Sequence, residues 1–182
     1  MEMFLARVIS PMDQPFDYLE IGPGHGLMTY FAAESRLSRS LEAWDVSAVS
    51  LNETHAALRK LGISKPIVLV ETDIMQAVVP SKRFDLVVVS EVLEHLENPG
   101  AALQFLRLAI SEGGRIFINV PINSPSPDHL YLFASPNDVT ALIESSGFRI
   151  ERLELYATQG RRIESALAHR ISVSAGVTAR PN

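Results

Sequence analysis

The chain has 182 residues, 47% of them hydrophobic, enough for one sizeable core and too few for two domains of ordinary size, so a single domain over 1–182 is expected. Sixteen Lys and Arg against 21 Asp and Glu leave a net charge of −5, and the largest basic cluster, Arg161-Arg162, is too small for a nucleic-acid surface built on counterion release. Without cysteine there are no disulfides, thiolate metal ligands or thiol nucleophile, and no apolar run reaches the roughly 18 to 20 residues of a membrane span.

The N-terminal MEMFLARVIS lacks the basic start and long apolar run of a secretory signal, so a soluble cytoplasmic protein is expected. Pro11 limits that segment to a short helix. From there, apolar runs of strand length alternate with segments of helical period, the pattern of an α/β fold with a mostly parallel sheet. Strands are predicted over 16–22, 41–46, 66–73, 84–91 and 114–121. Their Val, Ile and Leu continuity suits strands covered on both faces. Helices are predicted over 27–38, over 47–61 with Ser47 as N-cap, and over 101–111, closed by Gly113-Gly114.

After residue 121 the rhythm changes. PINSPSPDHLYLF holds Pro121, Pro125 and Pro127, which dictates an extended loop. A helix over 135–146 follows, with Pro136 at its first position and Gly147 ending it. The segments 148–157 and 169–180 are predicted strands joined by a polar link around Gly160 to Glu164. No helix of clear period separates them, so an antiparallel pair is expected.

The turn after the first strand is LEIGPGHG. Glycines there let a backbone approach a ligand while the next helix presents its N-terminus. A dinucleotide fingerprint, G-x-G-x-x-G, requires a third glycine where Leu27 stands, and starting from Gly24 puts Thr29 there. A phosphate loop requires Gly-Lys-Ser or Gly-Lys-Thr, which the chain lacks. The ligand left is one with an adenosine-like part and no pyrophosphate.

At these residues the chain resembles the class I S-adenosylmethionine-dependent methyltransferases, with later motifs in family order from about residue 16 to the C-terminus. The resemblance implies a Rossmann-like doubly wound sheet of seven strands, mostly parallel with an antiparallel C-terminal strand, and helices on both faces. It implies S-adenosyl-L-methionine as cofactor and S-adenosyl-L-homocysteine as product, with no metal. Glu20 would serve the glycine loop and the methionine end, and Gly22, Gly24 and Gly26 would lie under the methionine and ribose. Asp45, with its neighbour Val46 in AWDVS, would accept from the ribose hydroxyls. Asp73 and Ile74, in ETDIM, would take the adenine amino group and pack on the base. In FDLVVVSEVLEHLENP, Ser90 and Glu91 would border the sulfonium and His95 the substrate side. Independently of the family, a carboxylate at a strand's C-terminal edge suits a ribose diol, and such edges are where open α/β sheets bind ligands.

Plainer roles stand beside these. Asp45 can help cap the second helix, and Glu94 and Glu97 are expected to be solvated positions near a helix start. Trp44, His25, His55 and His169 are assigned no chemistry. The loop from Asn123 to Tyr131 can be a rigid spacer, yet it displays Asp128 and His129 where binding or catalytic groups sit. Asp128 and His129 are adjacent, so their side chains can diverge. Imidazole, with an ordinary pKa of about 6.5, can take a proton at neutral pH, which makes His129, His95 and Asp128 the catalytic candidates.

Only about fifteen residues precede the first strand, where many family members carry a helical lid. An open site is therefore expected, with a large or carrier-bound acceptor, a lid from another subunit, or a chain missing its original start. The expected activity is methyl transfer to O or N of a small-molecule or carrier-bound acceptor, with no nucleic acid or membrane partner and a homodimer left open. The alternatives are a non-catalytic partner subunit that binds the cofactor, and an enzyme using the sulfonium in an intramolecular displacement. A dehydrogenase is a third, with Leu27 against it.

Overall fold

The computed structural model describes residues 5–157 and 162–182. Its strands are β1 (Phe16–Ile21), β2 (Ser38–Asp45), β3 (Val68–Glu71), β4 (Phe84–Ser90), β5 (Ile110–Ile122), β6 (Phe148–Ala157) and β7 (Val173–Pro181). They form one sheet in the order β3-β2-β1-β4-β5-β7-β6. β1 pairs in parallel with β2 on one side and β4 on the other, so the chain winds out to β3 and then crosses back. That reversal leaves a crevice at the C-terminal ends of β1 and β4. β7 alone runs backwards, pairing antiparallel with both β5 and β6, as the C-terminal pattern implied.

Among the described residues five α-helices connect these strands: α1 (Leu27–Glu34), α2 (Ala48–Lys60), α3 (Pro99–Ala109), α4 (Pro136–Ser145) and α5 (Ile163–Ala168). The period of two along each strand sorts the core into two layers. Leu19, Ile21, Val87 and Val89 pack with Leu103 and Leu106 of α3 and with Val139 and Ile143 of α4. Phe16, Tyr18, Leu86 and Val88 pack with Ala32 and Ala33 of α1 and Leu58 of α2. Val8 and Ile9, in a turn of π-helix over Leu5–Ile9, join the second layer. Helices thus cover both faces, and among the described residues none is long and apolar enough to cross a membrane.

The caps explain the boundaries. Ser47 accepts from the Ser50 N–H, and Ser135 and Asp138 form a reciprocal capping box with Pro136 at the first position. Several expected boundaries differ. α1 ends at Glu34 rather than 38, where extended Ser35 stops it, and β2 begins at Ser38 rather than 41. α3 stops at Ala109 because Ile110 already pairs with Phe84, so Gly113-Gly114 lies in an irregular stretch of β5 rather than closing a helix. β3 covers only Val68–Glu71, and β7 starts at Val173 rather than 169 because α5 fills part of the expected link. The start of that link, including Gly160 and Arg161, lies outside the described residues.

Candidate functional site

The first turn is built on left-handed backbone. Gly22, Gly24 and Gly26 have φ of 64°, 52° and 74°. A Cβ on Gly22 would stand 2.5 Å from Val92 Cγ2, whereas one on Gly24 would meet nothing within 4 Å. Side chains are therefore excluded at Gly22 by both conformation and a neighbour, while Gly24 opens onto free space. The Gly22 N–H donates to the Trp44 carbonyl at 2.8 Å and the Thr54 hydroxyl donates to the Gly24 carbonyl, so the turn is tied to β2 and α2.

A cleft of about 420 Å³ opens above this turn, lined by Gly22, Gly24, Asp45, Asp73, Glu91 and His95 among others. Asp45 Oδ1 accepts from the Ser47 N–H and Oδ2 from the Ser50 hydroxyl, both at 2.9 Å. Asp73 accepts from the Met75 N–H at 2.9 Å and the Gln76 side chain at 2.8 Å. Each carboxylate is thereby oriented and still has lone pairs for a ligand. Trp44, Val46, Ile74, Val92 and Leu96 supply apolar walls.

The far side of the cleft comes from the residues after β4; the segment after β5 packs against His95, and its Asp128 and His129 do not themselves line the cleft. Glu91 has φ 54°, a left-handed conformation that is strained for a side-chain-bearing residue. It is held by its N–H donating to the Asn119 carbonyl at 2.9 Å and by the Asn119 amide donating to its carboxylate at 2.7 Å. Although its side chain reaches solvent, desolvation by the surrounding protein, then the charge of Glu94, raises the Glu91 pKa to about 7. His95 Nδ1 donates to the Asp128 carbonyl at 2.8 Å, and His129 Nδ1 to the Ser124 carbonyl at 2.6 Å. The two rings meet edge to face with centroids 5.0 Å apart.

Most of the expected residues converge here, and some do not. Glu20 faces the α1 layer, 2% exposed, accepting from the Tyr18 hydroxyl at 2.8 Å and from the Thr29 hydroxyl; it supports the turn from beneath and does not line the cleft. Burial lifts its pKa to about 7, against hydrogen bonds from Thr29 and Tyr18. Gly26 begins α1, and Ser90 accepts from Asn119 at 3.3 Å; neither lines the cleft. Asp128 serves His95 through its carbonyl, while its carboxylate accepts from Ser126 and stands 3.7 Å from His95 Nδ1. Glu97 is exposed as expected, but Glu94 is 1% exposed, a correction to its expected solvation: the 3-10 turn over Leu93–His95 rolls it inward. Trp44 had no assigned role; the alternation that carries it to the end of β2 beside Asp45 was the available signal.

A doubly wound seven-stranded sheet with one reversed strand next to its edge, and a glycine turn at the switch point, defines the class I S-adenosylmethionine-dependent methyltransferase fold. The chain belongs to the methyltransferase domain family, whose model matches residues 2–163. It is similar to a ubiquinone biosynthesis O-methyltransferase of Glaesserella parasuis serovar 5 (strain SH0165), 26% identical over 137 residues, covering 74% of this chain and 57% of that protein. The chain thus spans a little over half the length of that curated relative. Among solved structures, the cyclase SpnF superposes with a TM-score of 0.78 at 16% identity, covering 99% of this chain and 78% of that one. Magnesium protoporphyrin IX methyltransferase from Synechocystis PCC 6803, with bound S-adenosylmethionine, gives 0.72 at 16%, covering 100% and 77%. The N-methyltransferase NodS of Bradyrhizobium japonicum WM9 gives 0.72 at 18%, covering 100% and 94%.

Proposed function

We propose that this chain, as a single domain over 1–182, binds S-adenosyl-L-methionine and transfers its methyl group to an oxygen or nitrogen of a small-molecule or carrier-bound acceptor. The observation that carries this is the convergence of Gly22, Gly24, Asp45 and Asp73 on one cleft at successive strand ends. The residues fit the cofactor. Two oriented carboxylates with spare lone pairs suit a ribose diol and an adenine amino group, Ile74 and Val46 offer apolar contact to a base, and Gly24 leaves room for close backbone approach. Glu20 and Gly26 keep the turn in shape, and Ser90 supports Asn119, which holds Glu91 beside the sulfonium.

When bound, the cofactor supplies a methyl carbon made electrophilic by its positive sulfur. The chain's part is alignment and exclusion of water. His95 and His129 stand on the acceptor side, where their Nε2 lone pairs deal with the acceptor's proton, and Asp128 fixes the His95 ring. The O-methyltransferase relative supports an oxygen acceptor.

The test is incubation with S-adenosyl-L-methionine, with and without a panel of hydroxyl and amine acceptors. S-adenosyl-L-homocysteine released only when an acceptor is present is the expected result. Methylthioadenosine released without an acceptor would instead identify an intramolecular displacement. Tight binding without any turnover would identify a partner subunit.

A further inference from the structure

Glu94 is 1% exposed, and neither of its carboxylate oxygens has a hydrogen-bond partner. A buried carboxylate is costly unless a proton or a cation meets it. Two imidazoles do face it: a Glu94 oxygen and one ring nitrogen each from His95 and His129 all lie within 4.8 Å of one another. The backbone decides which nitrogens are free. Both Nδ1 atoms sit on carbonyl oxygens, which only accept, so Nδ1 carries the hydrogen and Nε2 the lone pair in each neutral ring. Metal-binding histidines are held in this way, the second nitrogen fixing tautomer and ring orientation.

We propose that Glu94, His95 and His129 form a site for a divalent transition-metal ion, of the zinc or manganese class, whose open positions take an oxygen of the methyl acceptor. Two imidazoles and one carboxylate suit such ions better than magnesium or calcium, which prefer all-oxygen shells. Metal bonds of about 2.0–2.2 Å set ligand atoms about 3–3.5 Å apart, so closing the site takes a contraction of up to about 1.3–1.8 Å, within reach of side-chain rotation. Glu91, which feels the charge of Glu94, adds a second carboxylate to the surroundings, and His95 itself lines the cofactor cleft. An ion here would lie beside the cofactor cleft, at the side where His95 lines it, so that an acceptor oxygen held on it could face the methyl carbon.

The acceptor half of the proposal rests on the methyltransferase reading. A hydroxyl bound to the ion releases its proton to solvent, and an oxygen lone pair forms the new C–O bond as the S–CH3 bond breaks. The bonding pair stays on sulfur, leaving a neutral thioether. The ion stabilises the alkoxide or phenolate before attack. With the ion bound, the Nε2 lone pairs of His95 and His129 are engaged as ligands, and this replaces their proton-accepting role in the metal-free chain.

The experiment uses the full, untagged chain stripped with chelator and titrated with cobalt(II) or zinc chloride, cobalt being read by its visible absorption and zinc by calorimetry. One ion per chain is expected, with affinity lowered at least about tenfold in E94Q and in H129A and unchanged in H169A, whose histidine lies elsewhere. Circular dichroism establishes folding of each variant, and the wild-type titration decides even if one fails to fold. Absence of binding by the wild-type chain at millimolar metal, with or without S-adenosyl-L-homocysteine, overturns the site. A separate titration with S-adenosyl-L-homocysteine keeps the two proposals apart: a chain that binds S-adenosyl-L-homocysteine but no metal overturns the metal site alone, and one that binds metal but no S-adenosyl-L-homocysteine upholds the site and overturns the function. Stripped enzyme should lose turnover on the hydroxyl acceptor identified with the acceptor panel, and zinc or manganese should restore it. Full turnover after stripping would overturn the acceptor role.

Discussion

Burial under the glycine turn lifts the Glu20 pKa from an ordinary 4.5 to about 7, against hydrogen bonds from Thr29 and Tyr18 that favour the charged form. The native chain therefore holds a proton there that the unfolded chain has released. The contribution of this group to stability is full below about pH 4.5 and is lost as pH rises through about 7. The span corresponds to on the order of 3 kcal/mol. Urea unfolding of the wild type between pH 4.5 and 8 should accordingly fall off more steeply than that of Glu20→Gln, which cannot titrate. Parallel slopes in the two proteins would show that Glu20 does not carry the shift. The acidic position was legible in the sequence, but its role was not, because period two along β1 puts Glu20 with Phe16 and Tyr18 on the α1 side while the cleft lies at the strand's end.

At the scale of elements, the segment 123–134 carries His129, and besides the His95–Asp128 hydrogen bond three further contacts hold it. The Asn123 N–H donates to the Phe133 carbonyl and the Tyr131 N–H to the Glu94 carbonyl, both at 2.9 Å, and the Phe133 ring, 1% exposed, packs in the core beside Tyr131. Phe133→Leu should cost about 1–2 kcal/mol in denaturant unfolding through the small void it leaves. Its effect on function should be uneven: turnover falls by about tenfold because His129 is displaced, while cofactor affinity stays within about threefold. Equal losses in both would mean that the loop also positions the cleft. The three prolines made an extended loop legible from the sequence, and its alignment with Glu94 was not. That alignment depends on the turn over Leu93–His95, three residues whose inward rotation no periodicity can report.

For the whole molecule, alternation of apolar runs and helical segments was enough to order the elements, since the central strands β1, β4 and β5 are buried and α2, α3 and α4 start at side-chain caps. What escaped were junctions such as Ala109 to Ile110, where a strand begins with no turn residues because pairing with Phe84 overrides local preference. The crevice itself follows from winding order, because β1 and β4 are neighbours only through the crossover. A ligand in that crevice bridges the turn after β1, the acids after β2 and β3 and the segment after β4, so it binds the native chain and not the unfolded one. S-adenosyl-L-homocysteine at a hundred times its Kd should then add about 2.7 kcal/mol and raise Tm by about 5–10 °C for a chain of this size. Asp45→Asn replaces an acceptor oxygen with a donor and should weaken binding at least about tenfold, reducing the shift at the same ligand concentration to about half or less. A nicotinamide dinucleotide should leave Tm where it was, because Leu27 occupies the position at which the third glycine of that fingerprint would let the helix pack closely on the strand. A shift with the dinucleotide and none with S-adenosyl-L-homocysteine would reverse the assignment of the cleft.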